Sequence, residues 1–207
     1  MPIMADIAAI ILAAGKSSRF RGDDPDAKSK AIALLDGTPM VRHVAQAAMD
    51  AGLKPLVLVT GFNADEVSAA ARALPGLQLV HNAGYETGLA SSLRAGIAAL
   101  PADVEGAIVL LADMPRVLVE TITRLVETFH ASPGAAAVVP VHAGQWGNPI
   151  LLGSNLFADV ALLQGDSGAR KLLASRADVV EMECGDEAVG LDIDTRDDLL
   201  KLARRLK

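Results

Sequence analysis

A loop of small and basic residues follows the first apolar run of the chain, and it reads Leu12-Ala13-Ala14-Gly15-Lys16-Ser17-Ser18-Arg19-Phe20. Small residues let the backbone approach a ligand closely, and successive N–H groups in such a turn can hold phosphate oxygens. Lys16 and Arg19 add positive charge, and an arginine can bind a phosphate through two hydrogen bonds. Neither a Walker loop nor a dinucleotide-binding fingerprint has this spacing. The loop alone therefore fits a phosphate site and an ordinary strand-to-helix turn equally well.

Charged residues at three later points of the chain could complete a site for a phosphorylated ligand. Lys30 could neutralise charge that develops on a phosphoryl group, although Lys28 competes for this role and an ordinary surface lysine in a charged loop is the alternative. Asp113 directly follows a fully apolar run, where a carboxylate suits magnesium or caps the next helix. Asp192 and Asp194 alternate along an extended segment and therefore face the same side. Either could complete a metal site with Asp113, and Asp194 could equally cap the last helix.

Three glycine-containing loops are candidates for substrate binding. The first runs from Asn82 past Gly88 to Ser92, where a helix begins whose N-terminus suits an anion. The second covers Trp146–Pro149, and its tryptophan is the only one in the chain, in a polar loop that could form a wall for a ligand. The third covers Gly165–Arg170 and opens a later helix. Gly, Asn, Asp and Pro are also common turn residues, so ordinary turn formation is the alternative for all three loops.

The elements between these motifs must bring them to one place. Short apolar runs alternate with longer amphipathic stretches, a pattern typical of a parallel sheet with helices on both faces. The apolar runs predict strands over Ile7–Ala13, Pro55–Thr60, Leu77–His81, Ala107–Ala112, Ala135–Val141 and Val179–Glu183. Helices are predicted near Met40–Ala51, Ala64–Ala73, Ser91–Leu100, Val117–His130, Ser167–Ser175 and Arg196–Leu206. Ligands of such sheets bind at the carboxyl ends of the strands, where these motifs lie. We therefore predict one doubly wound α/β domain over residues 1–207.

Composition excludes several classes of protein. Of the 207 residues 51% are hydrophobic, which is too many for an intrinsically disordered chain. The net charge of −6 argues against a general nucleic-acid binder, and with only 3% aromatic residues we expect no stacking on bases. No apolar run reaches the roughly 20 residues of a membrane span, and the single cysteine, Cys184, cannot form an internal disulfide. We expect a cytoplasmic protein that binds neither nucleic acid nor membrane.

Taken in order, the motifs resemble the MobA-like nucleotidyltransferases, and within them the molybdenum cofactor cytidylyltransferases. The resemblance runs from about Ile7 to Leu199, and it is carried by the Gly15 loop, Lys30, Ala112-Asp113-Met114-Pro115, the three later loops and Asp192-Ile193-Asp194-Thr195. It implies a three-layer Rossmann-like nucleotidyltransferase fold with a mostly parallel sheet. The implied activity is the Mg²⁺-dependent transfer of CMP from CTP to molybdopterin, with release of pyrophosphate. A molybdenum hydroxylase apoenzyme is an implied partner.

The same resemblance implies a role for each residue of these motifs. Arg19, Lys30 and Asp113 would be catalytic, and Asp113 and Asp194 would hold Mg²⁺. The nucleotide would be bound by Leu12, Ala13, Ala14, Gly15, Lys16, Ser17, Asn82, Gly88, Ser92 and Asp113. The acceptor would be bound by Trp146, Gly147, Asn148, Pro149, Asp166, Gly168 and Arg170. Ala13-Ala14, in place of a second glycine, resembles the members that use pyrimidine nucleotides.

Two departures from the family pattern leave alternatives open. Arg21 precedes Gly22, and an acidic stretch over residues 23–26 lengthens the loop before Lys30, so Lys28 stays a candidate for the phosphate lysine. Gly147-Asn148-Pro149 stands where the family often has Gly-His-Pro, which opens the identity of the acceptor. The alternative functions are a nucleotidyltransferase with another phosphorylated acceptor, such as a sugar or polyol phosphate, a non-catalytic molybdenum cofactor carrier or insertion chaperone, and an oxidoreductase. No flavin or nicotinamide fingerprint supports the last of these.

Overall fold

The computed structural model describes residues 6–24 and 27–204. Part of the acidic stretch before Lys30 and the end of the predicted last helix lie outside these ranges. The strands are β1 (Ile7–Ala13), β2 (Leu34–Leu35), β3 (Thr38–Pro39), β4 (Leu56–Thr60), β5 (Leu77–His81), β6 (Gly106–Leu111), β7 (Ala137–His142), β8 (Gln145–Trp146), β9 (Ile150–Gly153) and β10 (Val179–Glu183). The helices are α1 (Ser18–Arg21), α2 (Met40–Asp50), α3 (Ala64–Ala71), α4 (Leu89–Ala98), α5 (Val119–His130), α6 (Phe157–Ala161), α7 (Ala169–Leu173) and α8 (Arg196–Arg204). Within the described ranges, every helix is too short or too polar to cross a membrane.

The central sheet has the strand order β10-β7-β9-β6-β1-β4-β5, with β8 paired to β7. The pairs β1–β4, β1–β6, β4–β5 and β7–β10 are parallel, whereas β9 runs antiparallel to both β6 and β7. The prediction of a mostly parallel sheet is confirmed, and all six predicted strands occur with nearly the predicted bounds. The sequence did not predict β9, because its four residues follow a loop too closely to stand out as an apolar run.

The predicted helices are present, although some bounds differ. Helix α4 begins at Leu89 rather than Ser91, and α7 covers only Ala169–Leu173 of the predicted Ser167–Ser175. The short helix α6 was not predicted, because five residues are too few for a helical period to be recognised.

Both faces of the sheet are covered by helices, which explains why β1 is apolar along its whole length. Successive side chains of a strand point to opposite faces. Accordingly, alternate residues of β1 pack with α2, α3 and α5 on one face and with α4, α6 and α7 on the other, and all seven are buried. Helix α4 lies directly on β1. The contact is so close that a Cβ at Gly96 would come within 2.4 Å of Cγ2 of Ile10. The result is the predicted three-layer arrangement.

A third, smaller cluster fixes the segment that leads into α8. Leu35 of the β2–β3 hairpin, Met40 and Ile193 are buried together, and Phe20 and Leu199 pack against them. The backbone N–H of Ile193 also donates a hydrogen bond of 2.9 Å to the carbonyl of Asp113. This contact carries the residues after Ile193 to the carboxyl end of β6.

Candidate active site

The candidate active site lies where the loops after β1 and β6 meet. The two strands are parallel neighbours with Leu12 opposite Leu111, and the N–H of Ala112 donates to the carbonyl of Leu12 at 3.1 Å. The loop after β1 then turns sharply, because Ser17 adopts a left-handed conformation with φ 55°. The small-residue loop and Asp113, which are almost a hundred residues apart in the chain, are thus next to each other.

The backbone around Lys30 is anchored to the loop after β1. The N–H of Lys30 donates to Oγ of Ser17 at 3.0 Å, and the N–H of Ser29 donates to Oδ1 of Asn63 at 2.9 Å. Ser29 is buried, and its side chain caps a short 3-10 turn over Lys30–Ile32 by accepting a hydrogen bond from the backbone N–H of Ala31. Of the two candidate lysines, the structure brings Lys30 into the site, whereas Lys28 is exposed.

Four charged side chains meet at the carboxyl ends of β1 and β6. Nζ of Lys30 lies 2.6 Å from Oδ2 of Asp113 and 2.8 Å from Oδ1 of Asp194. Arg19 pairs with the other oxygen of Asp194. Burial by itself lowers the pKa of the Lys30 ammonium, but the carboxylates of Asp113 and Asp194 outweigh it, so the pKa is raised above its ordinary value. Lys30 is therefore held in its charged form.

Asp113 and Asp194 are the residues that could hold a divalent cation. A single ammonium contacts both carboxylates, so both are within reach of one cation. Magnesium favours one or two carboxylates together with substrate phosphates and water. Over residues 6–24 and 27–204, no group of three or more His, Cys, Asp or Glu side chains could hold a metal ion. The donor set therefore fits a cation that arrives with phosphate ligands. Asp192, the other candidate, is exposed.

A cleft of about 550 Å³ opens over these residues, within the range usual for small-molecule sites. Its walls include the segment from Leu12 to Arg19, Lys30, Asp113, Asp194, Gly88 and Ser92. Tyr85 and Glu86 also line it, and the sequence reasoning missed them, although they lie inside the candidate loop between Asn82 and Gly88. Nζ of Lys16 is 2.8 Å from Oε1 of Glu86, so an ion pair links the loops after β1 and β5. The hydrogen bond from Lys16 to Glu86 and the charge of Glu86 raise the pKa of Lys16.

A second cavity of about 640 Å³ lies beside the first and shares Leu12, Leu89, Leu111 and Asp166 with it. Four of the residues predicted to bind the acceptor line this second cavity, namely Asn148, Asp166, Gly168 and Arg170. The remaining wall is largely apolar, with Leu93, Val109 and Ile150. The two cavities are therefore neighbours, and Leu111 is part of the wall of both.

Three residues predicted to bind the acceptor do not line either cavity: Trp146, Gly147 and Pro149. The indole N–H of Trp146 donates to Oε1 of Glu181 at 2.6 Å, and its carbonyl accepts a hydrogen bond from Arg170 at 2.7 Å. Gly147 is buried against Val189, whose Cβ would lie 2.6 Å from a Cβ at this position. This loop therefore supports Arg170 at the edge of the second cavity.

Asn82 and Gly88 shape the loop after β5. The buried amide of Asn82 donates to Oγ of Ser91 at 2.8 Å and to Oγ of Ser92 at 3.0 Å. Asn82 is thus one step behind the cleft wall, to which Ser92 belongs. Gly88 has φ 107°, and a Cβ there would lie 2.3 Å from the carbonyl carbon of Gly165. Only glycine allows the two loops to approach so closely.

Residues 9–180 match the family described as the MobA-like NTP transferase domain. The chain belongs to this family. It is a nucleotidyltransferase by family, and the prediction made from the ordered motifs is confirmed at this level. The nicotine blue oxidoreductase of Paenarthrobacter nicotinovorans is 30% identical over 202 residues, which cover 95% of this chain and 96% of that protein.

Several solved structures have the same fold as the chain. The crystal structure of Rv0371c from Mycobacterium tuberculosis H37Rv has a TM-score of 0.82 at 30% identity, covering 97% of this chain and 99% of that one. A complex of Rv0371C with manganese has a TM-score of 0.78 at 28% identity, covering 96% and 98%. Mth528, a nucleotidyl transferase from Methanothermobacter thermautotroptrophicus, has a TM-score of 0.82 at 22% identity, covering 97% of each chain. The predicted Rossmann-like nucleotidyltransferase fold is confirmed.

Proposed function

We propose that the chain transfers CMP from CTP to molybdopterin and releases pyrophosphate, with Mg²⁺ held by Asp113 and Asp194. The observation that carries this proposal is the contact of Lys30 with both carboxylates beside the small-residue loop after β1, in a cleft of about 550 Å³. Paired carboxylates suit a divalent cation, and the lysine suits a phosphate. A magnesium–triphosphate complex requires both kinds of group in one place.

In the proposed reaction, a terminal phosphate oxygen of the acceptor attacks the α-phosphorus of CTP. A new P–O bond forms while the bond from the α-phosphorus to the oxygen that bridges to the β-phosphorus breaks, and pyrophosphate leaves with that electron pair. Positioning and charge stabilisation supply most of the catalysis in such transfers, so no protein nucleophile is required. When bound, Mg²⁺ supplies neutralisation of the charge on the phosphate oxygens.

The residues of the chain bind and orient the triphosphate in this scheme. Backbone N–H groups of the loop after β1 hold phosphate oxygens, and the cleft is open at Gly15, where a Cβ would meet nothing within 4 Å. Lys30 and Arg19 exchange their carboxylate partners for phosphate oxygens, and Lys30 neutralises charge at the α-phosphate. Lys16, at the rim of the cleft, can exchange Glu86 for the triphosphate in the same way.

The walls of the second cavity support an acceptor with a ring system over a sugar or polyol phosphate. Leu93, Val109 and Ile150 present apolar surface, against which sugar hydroxyls would be buried without hydrogen-bond partners. Arg170 and Lys171 also line this cavity and can pair with the acceptor's phosphate. Molybdopterin has this combination of a ring system and a phosphate.

A panel of nucleoside triphosphates tests the proposal. The protein is mixed with Mg²⁺, molybdopterin and one of ATP, CTP, GTP or UTP, and pyrophosphate release is measured. We expect release with CTP alone, and none without molybdopterin. Release with GTP alone would overturn the assignment of the base. Tight binding of molybdopterin without pyrophosphate release from any triphosphate would instead indicate a cofactor carrier or insertion chaperone.

The 30% identity to nicotine blue oxidoreductase over 95% of the chain favours an oxidoreductase as a second candidate. The test is the consumption of NADH or NADPH by the protein in the presence of nicotine blue. We expect none, because the loop after β1 lacks the glycine spacing of a dinucleotide-binding turn. Consumption that depends on both the dye and the protein would replace the nucleotidyl transfer proposed above.

A further inference from the structure

We infer that Lys30 is an internal counter-cation: in the substrate-free protein its ammonium occupies the place of a divalent cation between Asp113 and Asp194 and leaves when a triphosphate binds. The metal then enters together with the nucleotide and not before it. This inference rests on the proposed function, because it concerns the same two carboxylates.

The contacts of Lys30 identify the oxygens that a metal would need. The ammonium is 2.6 Å from Oδ2 of Asp113 and 2.8 Å from Oδ1 of Asp194, so it is in direct contact with both carboxylates. Arg19 engages the second oxygen of Asp194. Three carboxylate oxygens are therefore bonded to cationic side chains. A metal that binds at these oxygens must first displace the donors.

The surroundings of Lys30 strengthen its competition with a metal ion for the carboxylates. The side chains of Lys30 and Asp113 are each only 18% exposed, so water screens their charges weakly. The hydrogen bond from the Lys30 backbone to Ser17 and the 3-10 turn that follows hold the base of the side chain next to the carboxylates. A second cation placed beside the ammonium would meet unscreened repulsion. Hence the carboxylates alone form a poor metal site in the substrate-free protein.

A triphosphate reverses the balance, because its oxygens are acceptors for the same donors. When Lys30 and Arg19 move to phosphate oxygens, the freed carboxylate oxygens face a cation that the phosphates also bind. Without nucleotide, two cationic side chains neutralise the two carboxylates. With nucleotide, one metal ion would be shared by the carboxylates and the phosphates. The chain therefore binds free metal weakly and metal–nucleotide strongly.

Binding of Mn²⁺, measured by electron paramagnetic resonance of the free ion and by titration calorimetry, tests this inference. We expect wild-type protein without nucleotide to bind Mn²⁺ at least tenfold more weakly than the Lys30→Met variant. The matched control is Lys28→Met, which removes the same charge from an exposed position two residues away and should bind Mn²⁺ like the wild type. In the presence of the non-hydrolysable α,β-methylene analogue of CTP, the wild type should bind Mn²⁺ at least as tightly as Lys30→Met binds it without nucleotide.

Two results would overturn the inference: equal Mn²⁺ affinity of Lys30→Met and Lys28→Met, or tight binding by the wild type that the nucleotide analogue does not change. Circular dichroism verifies that the variants are folded. If Lys30→Met does not fold, Lys30→Gln serves as a second variant. The inference and the proposed function can fail separately. Tighter Mn²⁺ binding by Lys30→Met without pyrophosphate release from any triphosphate would leave the counter-cation in place and remove the transferase activity.

Discussion

Replacement of Gly88 by alanine tests whether the loop after β5 must lie against the loop that carries Gly165. The backbone of Gly88 has φ 107° and ψ 174°, a conformation that costs residues with a Cβ about 1–3 kcal/mol. The added Cβ would lie 2.3 Å from the carbonyl carbon and 2.4 Å from the oxygen of Gly165. Since both are backbone atoms, the loops must move, and such overpacking costs about 1–3 kcal/mol more. We expect the free energy of unfolding to fall by roughly 2–6 kcal/mol.

Gly76→Ala is the matched control for this experiment. Gly76 also has a positive φ of 75°, but a Cβ there would meet nothing within 4 Å, so only the backbone cost of about 1–2 kcal/mol applies. Urea unfolding followed by circular dichroism and by the fluorescence of Trp146 measures both losses. Because Asp166 follows Gly165 and lines both cavities, Gly88→Ala should also raise the KM for nucleotide, while Gly76→Ala should not. Equal losses of stability in the two variants would refute the reasoning.

Three further predictions concern charged residues of the cleft. Asp113→Asn should lower the rate of pyrophosphate release by about 100-fold or more with cooperative unfolding retained, whereas the exposed Asp192→Asn should leave the rate unchanged. The raised pKa of Lys30 stabilises the folded state only while the ammonium is charged. In the alkaline range, where Asp113 and Asp194 are ionised, the difference in unfolding free energy between wild type and Lys30→Met, from urea titrations, should therefore be constant up to the ordinary lysine value of 10.5 and shrink as the pH rises above it; a difference that does not shrink above that pH would contradict this. Glu86→Gln should lower the KM for CTP by no more than about fivefold, because the exposed pair with Lys16 is weak, and a higher KM would indicate that Glu86 itself contacts the nucleotide.

The strands differ in how well the sequence could predict them, and burial explains the difference. β1 and β4 are buried along their whole length, so each forms a continuous apolar run with clear ends. β9 is also buried, but it has only four residues and follows a loop. It becomes a strand through antiparallel pairing with β6 and β7, which are supplied by distant parts of the chain. Such pairing leaves no periodic signal within β9 itself.

Two loop residues likewise have roles in the structure that their sequence context could not predict. The sequence predicted Trp146 as a wall for a ligand because it is a single tryptophan among polar residues. The structure directs its indole to Glu181 of β10, and the neighbouring Gly147 packs against Val189. Asn82 likewise supports Ser92 from behind the cleft. A residue type and its neighbours in the chain indicate a loop, but they do not indicate towards which side of the loop a side chain points.

The sequence by itself determined which residue types gather at the carboxyl ends of the strands, because an apolar run followed by small, basic or acidic residues is a local property of the chain. Only the tertiary structure shows that Lys30 and Asp194 line the cleft, whereas Lys28 and Asp192 are exposed and do not line it. The two members of each pair are only two residues apart, so spacing along the sequence does not distinguish them. The hydrogen bond from the backbone of Lys30 to Ser17 positions Lys30 at the cleft. Asp194 is positioned by the hydrogen bond from the backbone of its neighbour Ile193 to the backbone after the end of β6. These contacts join distant segments, and no local pattern encodes them.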